Sequence, residues 1–474
     1  MAHRIGVLRD VLIERGVRLL LTSVRGTAAP ADLRRVQRGW YLNDWANAAF
    51  SATVLTVFLG PYLTDVATRA ADAHGDVHPL GIPVRAGSFF PYTVSASVLL
   101  SVVVMLLAGA TADRTGRHRT LLGAFAYVGA AATVGMFFLD GDRYLLGGAL
   151  LVVANICYAV SAALANSFLP GLAAPAERDA VSSKGWAFGY AGGGLLLVLN
   201  LALFLGHGAL GLSSGTAVRL CLASAGLWWA GFTVFPMRRL PRRPATAPVG
   251  QADEQPLDEH AGGTLRELAG TLRGMRRFPL TLLFLAAFLC YNDGIQTVIS
   301  QASLFGSEEL HLGQTTLIAG VLLVQIVAIG GALLLGRIAR RYGAKRTILG
   351  SLVAWVVTLA FGYVMPANQP VWFYTLAAAI GLVLGGSQAL SRSLFSHLIP
   401  AGREAEYFSL YKISDRGTSW MGPLVFGLAF QITGSYRVAI ISLLIFFAIG
   451  FALLVRVPVR RAIEAVGNQA PDLL

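Results

Sequence analysis

Charge is what this sequence has least of. Only 13% of its 474 residues are Asp, Glu, Lys or Arg, against about a quarter in a soluble globular protein. Length alone would suggest about three soluble domains, but so little charge cannot cover them. Lysine is nearly absent, at Lys184, Lys345 and Lys412, so the net charge of +13 rests on arginine. Cysteine is limited to Cys157, Cys221 and Cys290, each inside an apolar run and none in a Cys-x-x-Cys pair. That spacing argues against a disulfide framework or a zinc site and predicts buried, inert thiols. The phosphate loop G-x-x-x-x-G-K-[ST] is missing, which excludes ATP-driven transport by this chain alone. Neither an H-E-x-x-H nor a Ser/His/Asp signature occurs. The chain is therefore not read as an enzyme, and no metal or other cofactor is expected.

What is present is apolar. Hydrophobic residues make up 55% of the chain, mean hydropathy is +0.62, and there are 53 glycines. A membrane span needs about 20 apolar residues. Twelve such runs occur, near 40–64, 91–110, 121–139, 144–168, 185–205, 216–237, 279–299, 314–335, 347–365, 371–394, 408–432 and 436–457. They predict an all-α integral membrane protein of twelve transmembrane helices. Glycines in such number suit helices that approach closely.

Twelve spans put both chain ends on one side. The tails and the even-numbered connections together hold thirty Lys and Arg, and the odd-numbered connections hold five, Arg69, Arg85, Arg143, Arg219 and Arg437. The bias predicts that both termini are cytoplasmic, and it explains a pI near 10 without a nucleic-acid partner. The preference for Arg over Lys, with much Ala and Gly, fits a bacterial cytoplasmic membrane. Eight arginines spread from Arg4 to Arg38 leave no uncharged signal core. Ile13, Val17, Leu20 and Val24 have helical spacing, so this segment is read as an amphipathic surface helix or a basic arm.

The expected organisation is a basic N-terminal arm (1–37), a six-helix bundle (38–237), a central cytoplasmic loop with an amphipathic segment (238–277), a second six-helix bundle (278–458) and a cytoplasmic tail (459–474). The bundles repeat. Gly109, Ala112, Arg114, Gly116 and Arg119 after span 2 return as Gly336, Ala339, Arg341, Gly343 and Arg346 after span 8, at a constant offset of 227. LPGLAAPAER (169–178) is echoed by IPAGREAE (399–406). One departure matters: Arg340 stands in the second copy where the first has Asp113.

Two six-helix halves, a central loop and G-x-x-x-D-R-x-G-R after span 2 resemble the major facilitator superfamily from residue 38 to 458. Within it, YLNDWANAAFSATVLTVFLGPYL (41–63), KGWAFGYAGGGLLLVLN (184–200), YNDGIQTV (291–298) and SRSLFSHLIPAGREAEYFSLYKISDRGTSWMGPLVFG (391–427) are similar to the vacuole effluxer-like permeases of autophagy and their bacterial relatives. The resemblance implies a major facilitator fold and alternating-access transport, and fungal members are associated with amino-acid efflux from the vacuole. It also implies that Asp113 is set against the start of span 11.

Polar residues inside the spans are the candidate sites. An ionised carboxylate facing lipid costs about 2.5–3.5 kcal/mol or more, so Asp44 is expected to face the bundle interior. Trp40, Asp44, Asn47 and Ser51 follow one helical stripe, with Asn43 and Asn47 an adjacent i, i+4 pair. The acid reads as a substrate or proton site, or as a structural carboxylate bonded to neighbouring helix ends. Span 7 carries Tyr291, Asn292, Asp293 and Gln296, with a local break expected near Gly294. Asp293 is the leading candidate for a titratable coupling group. In span 11, Asp415 can neutralise only one of Lys412 and Arg416. These three residues, with Asp113, Arg114 and Arg117, predict a cytoplasmic gate. Asn155 and Tyr158 in span 4, and Gln388 and Arg392 in span 10, are expected to line a central site that suits a zwitterion or another small polar solute. The glycines of span 5 are read as close packing against a neighbouring helix.

The function expected is a proton-coupled secondary transporter of a small polar or zwitterionic solute, amino acids included. It would work as a monomer in the lipid bilayer, with the solute and protons as its other partners. Efflux of a drug-like or lipophilic compound, and a non-transporting membrane sensor that keeps the fold, are the alternatives.

Overall fold

The computed structural model describes residues 30–168, 172, 178–242, 277–399, 411 and 419–468. Residues 1–29, the amphipathic part of the central loop, and Lys412, Asp415 and Arg416 lie outside the described residues.

Eleven described helices are long and apolar enough to cross a membrane. Spans 1 to 6 are Leu33–Ala70, Ala86–Gly109, His118–Phe138, Tyr144–Asn166, Lys184–Gly206 and Ser214–Arg239. Spans 7 to 10 are Pro279–Glu308, Gln314–Ala339, Ala344–Val364 and Pro370–His397, and span 12 is Tyr436–Arg456. Span 11 is described over the shorter apolar helix Met421–Thr433. The described part of the helix carrying span 1 runs from Pro30, ahead of the residue 38 expected. A two-stranded antiparallel ribbon, β1 (Asp76–Val77) with β2 (Val84–Arg85), sits in the connection between spans 1 and 2. We call the side of that ribbon the far face and the side of the arginine-rich connections the basic face.

The packing repeats as the sequence does. Span 1 packs on span 6, span 3 on spans 4 and 6, and span 2 on span 4. Six spans later, span 7 packs on span 12, span 9 on spans 10 and 12, and span 8 on span 10. The two halves meet where span 2 lies on span 11 and span 5 on span 8, with span 1 against span 7 between them.

The repeated glycines and bases have local causes. Gly116 and Gly343 end the helices of spans 2 and 8 with φ of 63° and 89°, a left-handed backbone that other residues adopt only with strain. Arg119 Nη1, at the start of span 3, donates to Leu240 O at 2.8 Å, just past the end of span 6. Lys345 Nζ, at the start of span 9, donates to Val455 O at 2.9 Å and Val457 O at 2.7 Å, at the end of span 12. Both side chains satisfy carbonyls that a helix end leaves open, at its negative pole.

Far-face loops hold their acids ionised. Asp72 lies below the usual carboxylate range because the Asp76 and His74 N–H groups bond it. Asp140 does so through the Gly141 N–H and then Arg219, whose guanidinium lies 2.9 Å away.

Span 5 rides on span 1 through its glycines. A Cβ on Gly192 would lie 2.7 Å from the Trp45 carbonyl oxygen, and one on Gly193 would lie 3.1 Å from that of Ala48, whereas Gly194 faces open space. Gly192→Val is therefore expected to cost about 1–3 kcal/mol by overpacking, and Gly194→Ala to change stability by less than about 0.5 kcal/mol. Thermal unfolding of the two purified variants checks the difference; equal melting temperatures would contradict it.

Candidate functional site

Span 7 carries most of the candidate chemistry. Its helix is continuous over Pro279–Glu308, so the break expected near Gly294 is absent. Gly294 is instead a packing residue, since a Cβ on it would lie 2.9 Å from Phe447 Cε2 of span 12. Tyr291, Asn292 and Asp293 are all buried. Tyr291 shares a 2.5 Å hydrogen bond with Ser391 of span 10, and Ser391 donates to Ser387 O at 2.6 Å. Asn292 Oδ1 accepts from Gln388 Nε2 at 3.4 Å. Two expected residues of span 7 and one of span 10 thus meet in one polar cluster. Gln296 is half-buried.

The described helix of span 11 begins at Met421, after a turn at Ser419–Trp420. The first N–H groups of a helix look outside it for partners. Asp293 reaches across and supplies one, with Oδ2 accepting from Gly422 N at 3.0 Å. Its side chain is fully buried, and Oδ1 has no hydrogen-bond partner. No described cation lies within ion-pair distance of it. The carboxyl is held by a helix N-terminus, whose positive pole favours negative charge there. Gly422 allows this approach because any side chain on it would collide with Thr297 Oγ1. Two residues earlier, Trp420 O accepts from Ser95 Oγ of span 2 at 2.8 Å. Asp293 is therefore one short stretch of backbone away from a hydrogen bond between the halves.

On the far face the halves are joined by further bonds of that kind. Ser88 Oγ donates to Gly427 O at 2.9 Å, Arg85 N to Gln431 Oε1 at 2.9 Å, and Tyr436 Oη to Gly87 O at 3.2 Å. Gln314 Nε2 reaches Val57 O at 3.4 Å. Tyr436 is itself fixed by Glu309, which accepts from the Tyr436 N–H at 3.1 Å and pairs with Arg437 at 2.9 Å. Nearer the basic face, Arg392 Cζ stands 5.9 Å above the Trp186 ring of span 5.

Span 1 departs from the helical stripe expected of it. Phe50–Phe58 is a π-helix, so Ser51 no longer continues the Trp40–Asp44–Asn47 line. Trp40 donates to Ala165 O of span 4 at 2.8 Å. Asp44 is half-buried against Gly185 of span 5, where a Cβ would lie 2.5 Å from its Oδ2. Asn43 and Asn47 are buried, and Asn43 Nδ2 and Asn47 Oδ1 have no hydrogen-bond partner. Asn155 donates to Ser97 of span 2 at 2.7 Å, and the Tyr158 ring meets those of Phe50, tilted, and Trp229, edge-on, at 5.4 Å and 6.3 Å. Asp113 and Arg114 fall on the last turns of the span 2 helix, and Arg117 precedes span 3. Their expected partners Lys412, Asp415 and Arg416 lie outside the described residues.

Sequence reasoning passed over Asn200. It is buried in span 5, donates to Thr53 of the π-helix at 3.3 Å and accepts from Ser224 of span 6 at 2.9 Å. An amide at the end of the run GGGLLLVLN was the available signal. Because Asn200 ties three spans together, Asn200→Leu is expected to lower stability by about 1–2 kcal/mol. Ser224→Ala should cost less than half of that, since the Ser224 hydroxyl also bonds Cys221 O at 2.7 Å. Thermal unfolding in lipid nanodiscs separates the two, and an unchanged melting temperature for Asn200→Leu would show that the node carries no load.

Comparison with known proteins converges on transport. Residues 32–467 match the family model "Vacuole effluxer Atg22 like". An MFS-type transporter of Bacillus subtilis, YxiO, is 27% identical over 92% of this chain and 98% of its own. Autophagy-related protein 22 of Yarrowia lipolytica is 30% identical over 80% of this chain and 77% of its own. Among solved structures, the D-xylose-proton symporter has a TM-score of 0.62 at 12% identity, covering 89% of this chain and 95% of that one. A mutant form of the nucleoside transporter NupG has a TM-score of 0.61 at 16% identity, covering 91% and 99%. At such identities the structural likeness shows the fold, which is that of the major facilitators.

Proposed function

We propose that this chain, an MFS-type transporter that belongs to the vacuole effluxer Atg22-like family, moves a small polar or zwitterionic solute by proton-coupled alternating access. The observation that carries the reading is the placement of Asp293. A buried carboxyl with one unpartnered oxygen caps the described helix of span 11, and the turn before that helix bonds span 2 of the other half. A hydrogen bond from an amide to a charged carboxylate is worth about 1.5–3 kcal/mol. A proton on Asp293 removes the charge from that bond and weakens the hold on span 11. Rocking of residues 38–237 against 278–458 then follows from loosening a contact that both halves share.

The uncharged part of the site suits such a solute. Tyr291, Asn292, Gln388 and Ser391 offer donors and acceptors on spans 7 and 10, and Arg392 supplies a cation a turn beyond Gln388. Asn43 and Asn47 add buried amide atoms without a hydrogen-bond partner among the described residues, on the first part of span 1. Amino acids, the class with which fungal members of the resembled family are associated, fit this set of groups. Asp44, lodged against span 5, acts on the conformational step and not on the solute. A basic-face gate of Asp113, Arg114 and Arg117 against Lys412, Asp415 and Arg416 belongs to this reading, and the packing of span 2 on the described helix of span 11 supports it. Both termini are cytoplasmic and the membrane is the bacterial cytoplasmic one.

The test is uptake into proteoliposomes of labelled amino acids and small metabolites under an imposed pH gradient. Asp293→Asn is expected to abolish gradient-driven accumulation while leaving solute exchange at equal pH, and Asp44→Asn to slow both without uncoupling them. Accumulation by Asp293→Asn at the wild-type level would refute coupling at span 7. Uptake confined to lipophilic compounds would replace the polar solute with a drug-like one.

A further inference from the structure

Four arginines meet where span 1 begins and span 6 ends. Arg34, Arg35, Arg38 and Arg239 line one recess of about 300 Å³. The two spans close on each other there because Gly39 has no side chain; a Cβ on it would lie 2.6 Å from Arg239 Cβ. Among the described residues, none of the four arginines has an ion-pair partner. Four guanidinium groups gathered on one recess repel one another and are stabilised together only by an anion. Their planar forks match phosphate oxygens two at a time.

The recess does not end at the arginines. Arg239 Cζ stands 5.4 Å from the ring centroid of Phe235. Phe235 is one end of an apolar groove on the outer surface, bounded by Leu196 of span 5 and by Leu227, Trp228, Gly231 and Phe232 of span 6. Ser224 marks its other end. Eleven helical residues separate Ser224 from Phe235, about 16 Å of rise, close to one leaflet of a hydrocarbon core about 30 Å thick. Nothing lies within 4 Å of the place where a Cβ on Gly231 would be, so the floor of the groove is open at its middle. A cationic recess at the ends of two spans thus continues into an apolar channel one leaflet deep.

We propose that this surface is a binding site for one anionic phospholipid, with its phosphate among Arg34, Arg35, Arg38 and Arg239 and an acyl chain in the groove between spans 5 and 6. Basic recesses between transmembrane helices select acidic headgroups by charge. A free phosphate would account for the recess but not for the groove that continues from it. A neutral lipid would account for the groove but not for four unpaired arginines.

The experiment is native mass spectrometry of the full-length protein, delipidated in neutral detergent and offered phosphatidylglycerol, phosphatidylcholine or inorganic phosphate. Phosphatidylglycerol should be retained about ten-fold more than phosphatidylcholine, and inorganic phosphate should not displace it. The triple variant Arg34→Gln, Arg38→Gln, Arg239→Gln should lose that preference. Gly231→Leu keeps every charge and fills the groove, and should lower phosphatidylglycerol retention about three-fold or more. Equal retention of the two lipids by the wild type would overturn the proposal. So would displacement by inorganic phosphate, or wild-type retention by Gly231→Leu. The readout is lipid retention, so it stands apart from whether Asp293 couples transport to protons.

Discussion

Inside the hydrocarbon of a bilayer there is no water to satisfy a backbone N–H or C=O, so each span must bond its own backbone or borrow a partner from another span. Everything unusual in this protein follows from where that rule is strained. Among the described residues, span 1 becomes a π-helix over Phe50–Phe58, the helix of span 11 begins at Met421 after a turn, and span 12 is interrupted at Leu443. At the first two places a side chain from a different span bonds a backbone group: Gln314 reaches the Val57 carbonyl and Asp293 takes the Gly422 N–H, while Asn200 bonds the Thr53 hydroxyl. Polar side chains that would burden a plain membrane helix are therefore concentrated where the backbone needs them. π-helical turns are rare and cluster at functional sites, and here the π-helix stands opposite the span that carries Asp293.

The glycines serve the same rule by a different route. Lipid gives helices no hydrophobic reason to associate, so close backbone approach must supply the attraction. Gly185, Gly189, Gly192 and Gly193 let span 5 lie on span 1, and Gly381, Gly385 and Gly386 let span 10 lie on span 8. Each half is thus bound tightly within itself. Among the described residues, the halves are joined by single hydrogen bonds that involve Ser, Gln and Tyr side chains, mostly on the far face. Tight halves joined by a looser polar seam is the mechanical arrangement that rocking requires.

How much of this was legible in the sequence depends on the range of the interaction. The spans and the duplication follow from composition and spacing, because a membrane imposes a length on every apolar run. The Gly116 and Gly343 pair could be read from the repeat alone, since a backbone requirement at a helix end is local. Asp293, Tyr291, Asn292 and Gln388 were recognisable as intramembrane polar residues. Their pairing was not, because hydrogen bonds between Tyr291 and Ser391, or Asn292 and Gln388, join positions about a hundred residues apart. The stripe through Trp40, Asp44, Asn47 and Ser51 failed for a definite reason: it assumed a 3.6-residue period across a stretch that is π-helical. Gly294 misled for another, since a glycine that permits a break and a glycine that admits Phe447 look alike in one dimension.

The energetic scale of the proposed switch sets a limit on what the proton can do. Losing the charge on the Asp293–Gly422 bond is worth the difference between a charged and a neutral hydrogen bond, about 1–1.5 kcal/mol, and each 1.4 kcal/mol is a tenfold change in an equilibrium. One proton can then shift the balance between two conformations by roughly five- to tenfold. Turning a 1:99 population into 99:1 needs about 5.5 kcal/mol, so the remainder must come from the solute's unequal affinity for the two conformations. A transporter built this way moves little when either ligand is alone. The requirement for both is what coupling means thermodynamically. In the proposed mechanism it arises because the Asp293 carboxyl of span 7 bonds the same short stretch of span 11 whose turn bonds the other half.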